Sequence, residues 1–229
     1  MDFRRAAVSF LFRLIINIIC KMDCREYVKA LLKNKPMIVA FNHINFLEVP
    51  VLVGYSHPLY VTGLAKKETW DSLIFSFIFN TYRAIPIDRS GSFIKAFKLM
   101  RKRVNEGYFM CIAPEGKRSV DGILRHGKAG IIQFAIDENL PILPTAHYGG
   151  ENIWKNIKRF KRTPFCFRAG KPFRIKFEGQ PGKEEREQIL TEVMGQMAVL
   201  LPERMRGVYA EQAVAFKAGR KCKYLEFIQ

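Results

Sequence analysis

What the sequence lacks narrows its function first. In the apolar stretch between Ala6 and Cys20, no uninterrupted apolar run exceeds three residues. A membrane-spanning helix needs about twenty in succession. Five cysteines are scattered along the chain, and the closest pair, Cys20 and Cys24, has no second pair at metal-ligand spacing. That excludes a zinc site of the usual kind. The odd cysteine count and the lack of a secretory cleavage pattern point to a reducing, cytoplasmic setting. The GxxxxGK[ST] signature of nucleotide-binding loops is absent. No internal repeat and no linker breaks the 229 residues, which suffice for one sizeable domain. Acidic residues are scarce: 21 stand against 38 basic ones, a formal net charge of +17. Such a field suits nucleic acid, an anionic membrane surface or acidic substrates. Tryptophan occurs only twice, whereas phenylalanine occurs 19 times, a balance that favours a membrane partner over duplex DNA.

The most informative stretch is Met37 to Glu48, MIVAFNHINFLE. Its first five residues form an apolar run bounded by Lys35-Pro36 and Asn42, the pattern of a buried strand. His43 and Glu48 follow. A histidine is suited to proton transfer near neutral pH, and a carboxylate on its far ring nitrogen would fix the tautomer and stabilise the imidazolium. Five residues apart on one helix, the two side chains would diverge by about 140°. The pair therefore requires His43 in the turn after the strand and Glu48 early in the next helix.

The N-terminal residues 3–21 carry polar side chains at Arg5, Ser9, Arg13, Asn17 and Lys21, a row spaced by four. On a helix this makes one narrow polar stripe on an otherwise apolar surface. The expectation is a helix lying in the membrane interface, with Arg5, Arg13 and Lys21 reaching the headgroups; the alternative is a core helix. Further along, Leu59–Thr62 reads as a strand. Trp70–Asn80 reads as a helix dense in Phe, Ile and Leu, either buried or with its outer side against lipid. Ala84–Arg89 is a short strand ending in charge, and Phe93–Asn105 a helix with a basic solvent side. Tyr108–Ala113 is a buried strand running into Pro114-Glu115-Gly116-Lys117-Arg118-Ser119. Glycine there permits close approach of an anion, and the two cations supply charge. Lys128–Glu138 reads as a helix. Pro141–Ala146 carries two prolines, which places it near a sheet edge or strand end. Phe165–Ala169 and Phe173–Phe177 are strands around the turn Gly170-Lys171-Pro172. Lys183–Leu201 reads as a surface helix with an apolar stripe at Ile189, Val193, Met197 and Leu200. The fold class is α/β: a single domain with a largely parallel or mixed central sheet of about seven strands flanked by helices. Residues 1–34 are expected to form a membrane-associating helical segment and 35–229 the main domain.

Four motifs thus stand in order at strand ends: Asn42-His43-x4-Glu48, Ile87-Asp88-Arg89, Pro114–Ser119 and Pro141-Ile142-Leu143-Pro144. Together they resemble the glycerophospholipid acyltransferase superfamily, most closely its 1-acylglycerol-3-phosphate O-acyltransferase branch. The resemblance runs from Lys35 to Tyr209. The chain departs from the family pattern at Glu48, where an aspartate is usual, at Ala113 for phenylalanine, at Lys117 for threonine and at Asn45 for serine.

The resemblance implies a mechanism. His43 would act as general base on the free hydroxyl of a lysophospholipid, and the alkoxide would attack an acyl-CoA or acyl carrier protein thioester. Glu48 would orient His43. Arg89, Lys117 and Arg118 would hold the acceptor phosphate, with Glu115 and Gly116 shaping the same site. No metal and no cofactor beyond the thioester co-substrate is expected. The expected partners are an anionic membrane surface on the cytoplasmic side, the lysophospholipid and the acyl donor. Another lysophospholipid or an amine lipid is the alternative acceptor. A basic nucleic-acid-binding protein is the non-enzyme alternative, but it leaves the His-x4-Glu motif and the Phe-rich helix unexplained, so no nucleic acid is expected.

Overall fold

The computed structural model describes residues 3–88 and 94–228. In chain order the elements are α1 (Phe3–Ile19), β1 (Cys20–Asp23), α2 (Arg25–Lys33), β2 (Ile38–Ala40), α3 (Glu48–Ser56), β3 (Val61–Lys66), α4 (Leu73–Thr81) and β4 (Ile85–Ile87). They continue with α5 (Ile94–Asn105), β5 (Phe109–Ile112), α6 (Gly130–Asp137), β6 (Ile142–Tyr148), α7 (Ile153–Ile157), β7 (Thr163–Ala169), β8 (Phe173–Ile175), α8 (Lys183–Val199), α9 (Ala210–Lys217) and β9 (Leu225–Phe227). The strands make one mixed sheet in the order β1-β7-β6-β2-β5-β3-β4, with β8 joining β6 to β9. The run from β6 through β2, β5 and β3 to β4 is parallel, and β7 and β8 are antiparallel to β6. With nine strands among the described residues, the sheet is two wider than expected.

Two cores, one on each face of the sheet, explain the sequence pattern. Central parallel strands are covered on both sides and so read as continuous apolar runs. On one face, Ile38 and Ala40 of β2 and Met110 and Ile112 of β5 pack with α5, α6, α8 and α9. On the other, Val39, Phe109 and Cys111 pack with α1, α2 and α3. Helix α8 buries Ile189, Leu190, Val193, Met194 and Met197, a wider apolar face than the stripe expected, while Lys183, Glu184, Glu187 and Gln188 stay exposed.

Strand β6 also departs from expectation. It lies inside the sheet, between β2 and β7. Pro144 falls where its neighbour on the far side changes from β8, paired at Ile142, to β7, paired from Thr145. A missing N–H there interrupts neither of those two ladders. The turn at Gly170-Lys171-Pro172 accordingly joins strands that pair successively with β6 and not with each other.

The N-terminal helix is present, and its polar row is buried against the protein at Arg5 and Ser9, while Arg13 and Asn17 stay exposed. The Arg5 guanidinium lies 4.0 Å above the Tyr60 ring and donates to Leu59 O at 3.2 Å. Ser9 Oγ sits 2.7 Å from Tyr82 Oη and 3.2 Å from Val53 O. Arg13 donates to Gly54 O, and Tyr55 Oη donates to Asn17 Oδ1. A Cβ on Gly54 would stand 3.3 Å from Arg13 N, so the bare glycine lets α1 settle closely on α3. The expectation that Arg5 reaches headgroups is therefore overturned, because its guanidinium is buried over the Tyr60 ring, whereas Arg13 donates to Gly54 O and stays exposed. Lys21 lies beyond the helix, in β1, which pairs in parallel with β7. The apolar side of α1 faces outward: Phe10 is 69% exposed, and Phe3, Leu11, Leu14, Ile15 and Ile18 are exposed with it. Neighbouring α4 is as apolar and buries none of its residues, with Ile74 72% exposed. No helix among the described residues is long and apolar enough to cross a membrane.

Candidate active site

The motifs converge because β6, β2 and β5 are adjacent and parallel, with Pro144, Ala40 and Ile112 in register. Their carboxyl ends open on one edge of the sheet, the place where open α/β sheets hold ligands. His43 leaves the end of β2, and Glu48 opens α3. That is the strand–turn–helix placement that the five-residue spacing requires.

His43 Nδ1 and Glu48 Oε2 are 2.5 Å apart. The glutamate is wholly buried, whereas the imidazole is 24% exposed, so the ring alone of the pair meets solvent. Its Nε2 has no hydrogen-bond partner among the described residues and is free to act on a substrate. The second carboxylate oxygen, Oε1, accepts from the N–H groups of Ile44 and Asn45, the latter at 2.6 Å, and lies 3.1 Å from His147 Nε2. Burial pushes the Glu48 carboxyl up, but the hydrogen bonds from His147 and His43 outweigh it and hold the group at about 2. Glu48 is thus a carboxylate beneath the ring at every pH near neutrality, which orients a general base.

The loop after β5 closes over the same edge. Glu115 is buried, and its oxygens accept from His43 N at 2.7 Å and Arg125 N at 2.9 Å. Burial raises its carboxyl, while those two N–H groups act the other way. The carboxylate serves the backbone of the loop and of the turn that carries His43. Ser119 N donates to His43 O at 2.7 Å and ties the far end of the loop to the base. Between these ties Gly116 adopts φ +68°, and the Lys128 side chain lies across it, 3.0–3.2 Å from where a Cβ would stand. Lys117 and Arg118 are exposed, with no hydrogen-bond or ion-pair partner among the described residues. Lys128 thus lies across Gly116, and the exposed Lys117 and Arg118 follow it in the chain, so the loop carries three cations, a composition suited to an anion. Arg89 lies outside the described residues; β4, which precedes it, ends on the same edge of the sheet.

Two residues of the site are not evident from the sequence. Lys128 is legible there only as the start of a helix. His147 lies at the end of β6, 105 residues from Asn42, whose side chain and carbonyl it meets. No local spacing signals such a contact; the one hint is that β6 adjoins β2.

The model of the family described as Acyltransferase matches residues 21–148, more than half of the chain. The chain belongs to the acyltransferase family. Among relatives of this acyltransferase, the 1-acyl-sn-glycerol-3-phosphate acyltransferase of Limnanthes douglasii is 30% identical over 146 residues, 62% of this chain and 49% of that one. Its namesake in Bacillus subtilis is 27% identical over 161 residues, 69% of this chain and 77% of the relative. The chain spans about half the length of the first of the curated relatives it matches. The crystal structure of the 1-acyl-sn-glycerophosphate (LPA) acyltransferase PlsC from Thermotoga maritima superposes with a TM-score of 0.60 at 18% identity, covering 96% of this acyltransferase and 86% of that chain. The fold is shared across that distance.

Proposed function

We propose that the protein transfers a fatty acyl group from an acyl-CoA or acyl carrier protein thioester to the free hydroxyl of 1-acylglycerol-3-phosphate, forming phosphatidic acid. The observation that carries this reading is the His43–Glu48 pair: a solvent-facing imidazole whose Nδ1 is held by a buried carboxylate. His43 Nε2 takes the proton of the acceptor hydroxyl as its oxygen bonds to the thioester carbonyl carbon. The tetrahedral intermediate collapses, the carbon–sulfur bond breaks, and the imidazolium returns its proton to the departing thiolate. No enzyme nucleophile is required, because the acceptor oxygen attacks directly. Lys117, Arg118 and Lys128 would take the acceptor phosphate, with Arg89 as a further candidate. The curated relatives' names support this acceptor.

The acceptor is an amphiphile, so the reading includes an anionic bilayer on the cytoplasmic side as the working surface. The outward apolar side chains of α1 and α4 suit insertion among acyl chains, and the net charge of +17 adds attraction to anionic headgroups. The deciding test is His43→Ala, assayed with lysophosphatidic acid and acyl-CoA. A loss of about 10²–10⁴-fold in a folded variant is expected from removal of a general base. Retention of more than about a tenth of the activity refutes the mechanism.

A further inference from the structure

The base pair stands on a second histidine whose role no motif assigns. His147 is fully buried. Its ring packs with Phe165 and Phe167, centroids 5.4 and 5.7 Å away and interplanar angles 14° and 20°. Its Nε2 lies 2.7 Å from Asn42 O and 3.1 Å from Glu48 Oε1. A carbonyl oxygen only accepts, so Nε2 must carry the proton. The other nitrogen, Nδ1, is buried with no partner. A second proton there would be an unsatisfied donor among aromatic rings, which is costly. The geometry thus fixes the tautomer, with the Nε2 proton directed at Asn42 O and Glu48 Oε1.

We propose that His147 is a positioning residue for acyl transfer, clamping Glu48 so that its other oxygen stays on His43. The clamp has two parts. Asn42 Nδ2 donates to His147 O at 3.0 Å, and His147 N donates to Asn42 Oδ1 at 2.8 Å, which locks the ends of β2 and β6 together one residue before the base. The shared Nε2–H then reaches from that locked junction to Glu48 Oε1. The two N–H groups of Ile44 and Asn45 bind the same oxygen, but both belong to the turn that carries His43 and move with it. His147 ties the carboxylate to the sheet instead. Such an anchor matters for glutamate, which has one more rotatable bond than aspartate and so more freedom to swing off the imidazole. Glu115, a second buried carboxylate close enough to feel Glu48, is already engaged by His43 N and Arg125 N.

This inference rests on the reading of His43 as the base, and its test separates the two. His147→Phe keeps the aromatic packing and removes the donor; His147→Gln restores a donor on an amide. His147→Phe is expected to lower kcat about ten- to a hundredfold, the scale of a lost hydrogen bond to a charged group, with KM for both substrates changed less than about twofold. His147→Gln should recover part of the loss. In a Glu48→Gln background His147→Phe should add less than about twofold, because no carboxylate remains to be held. Unchanged kcat in His147→Phe, or a loss that multiplies fully with that of Glu48→Gln, overturns the proposal. Nitrogen-15 spectra of the wild type test the clamp without turnover. His147 should show a protonated Nε2 and an unprotonated Nδ1, and the His43 Nδ1–H resonance should weaken or vanish in His147→Phe. A protonated Nδ1 on His147, or an unaltered His43 resonance in the variant, overturns the clamp even if the enzyme is active. An inactive wild type with these spectra would sink the activity and leave the clamp standing.

Discussion

Glu48→Gln should change how stability depends on pH, by an amount the structure sets. The carboxylate is buried under four donors and held at about 2, against 4.5 when unperturbed. That lowering corresponds to about 3 kcal/mol of folding stability. The sign follows from the direction. The folded group is the stronger acid, so its contribution is fully present above about pH 5, where the unfolded chain is also ionised, and is lost as pH falls towards 2. Integrated over the titration, about 1 kcal/mol is gone by pH 4 and about 2 kcal/mol by pH 3. Glutamine has no proton to bind, so the variant should start less stable at pH 7 and lose less on acidification. Urea unfolding of both proteins at pH 6, 4 and 3 measures the two slopes. Other acidic groups titrate in both, so the difference isolates residue 48. Parallel slopes from pH 6 to pH 3 would refute the account of Glu48 as a buried carboxylate stabilised by its histidines.

Gly116→Ala places a Cβ in a left-handed backbone and against Lys128, so it should cost about 1 kcal/mol in thermal unfolding and raise KM for the phosphorylated acceptor more than for the thioester. An equal change in both KM values would remove the Gly116 loop from the phosphate site. On α1, Phe10→Glu combined with Ile74→Glu on α4 should abolish co-sedimentation with anionic vesicles at unchanged stability, whereas Arg5→Met should cost about 1–3 kcal/mol of stability through the buried contacts of its guanidinium. Retained vesicle binding in the double variant would place the membrane contact elsewhere.

Legibility in the sequence followed range. The His43–Glu48 pair was readable because five residues of separation, a preceding apolar run and a following helix constrain one another locally. The strands β2, β4 and β5 were readable for the same reason, as short apolar runs closed by charged turns. Periodicity showed that Arg5, Ser9, Arg13 and Asn17 share one side of a helix, but not which surroundings that side meets. A polar row satisfies carbonyls of α3 as readily as headgroups. Strand β1, Cys-Lys-Met-Asp, has no pattern of its own and exists because β7 offers it a ladder. Strand β9 likewise gains its ladder only from β8. His147 belongs to this class too: it is assembled by the pairing of β2 with β6, a fact of topology rather than of spacing.

The pairing of β1 with β7 also sets an order of events during synthesis. Cys20 finds its partner only when Thr163 has been made, and Ser9 waits for Tyr82. At ordinary elongation rates of about 5–20 residues per second, the first strand stands open for on the order of ten seconds. Until Val53 and Gly54 are made, early in that interval, the first helix has no α3 to receive its polar row, and all its sides are bare. The nascent chain therefore emerges with an amphipathic helix in its least satisfied state, ready to rest on whichever apolar surface is nearest. Docking on α3 and Tyr82 later withdraws one side of that helix into the domain and leaves only the other available.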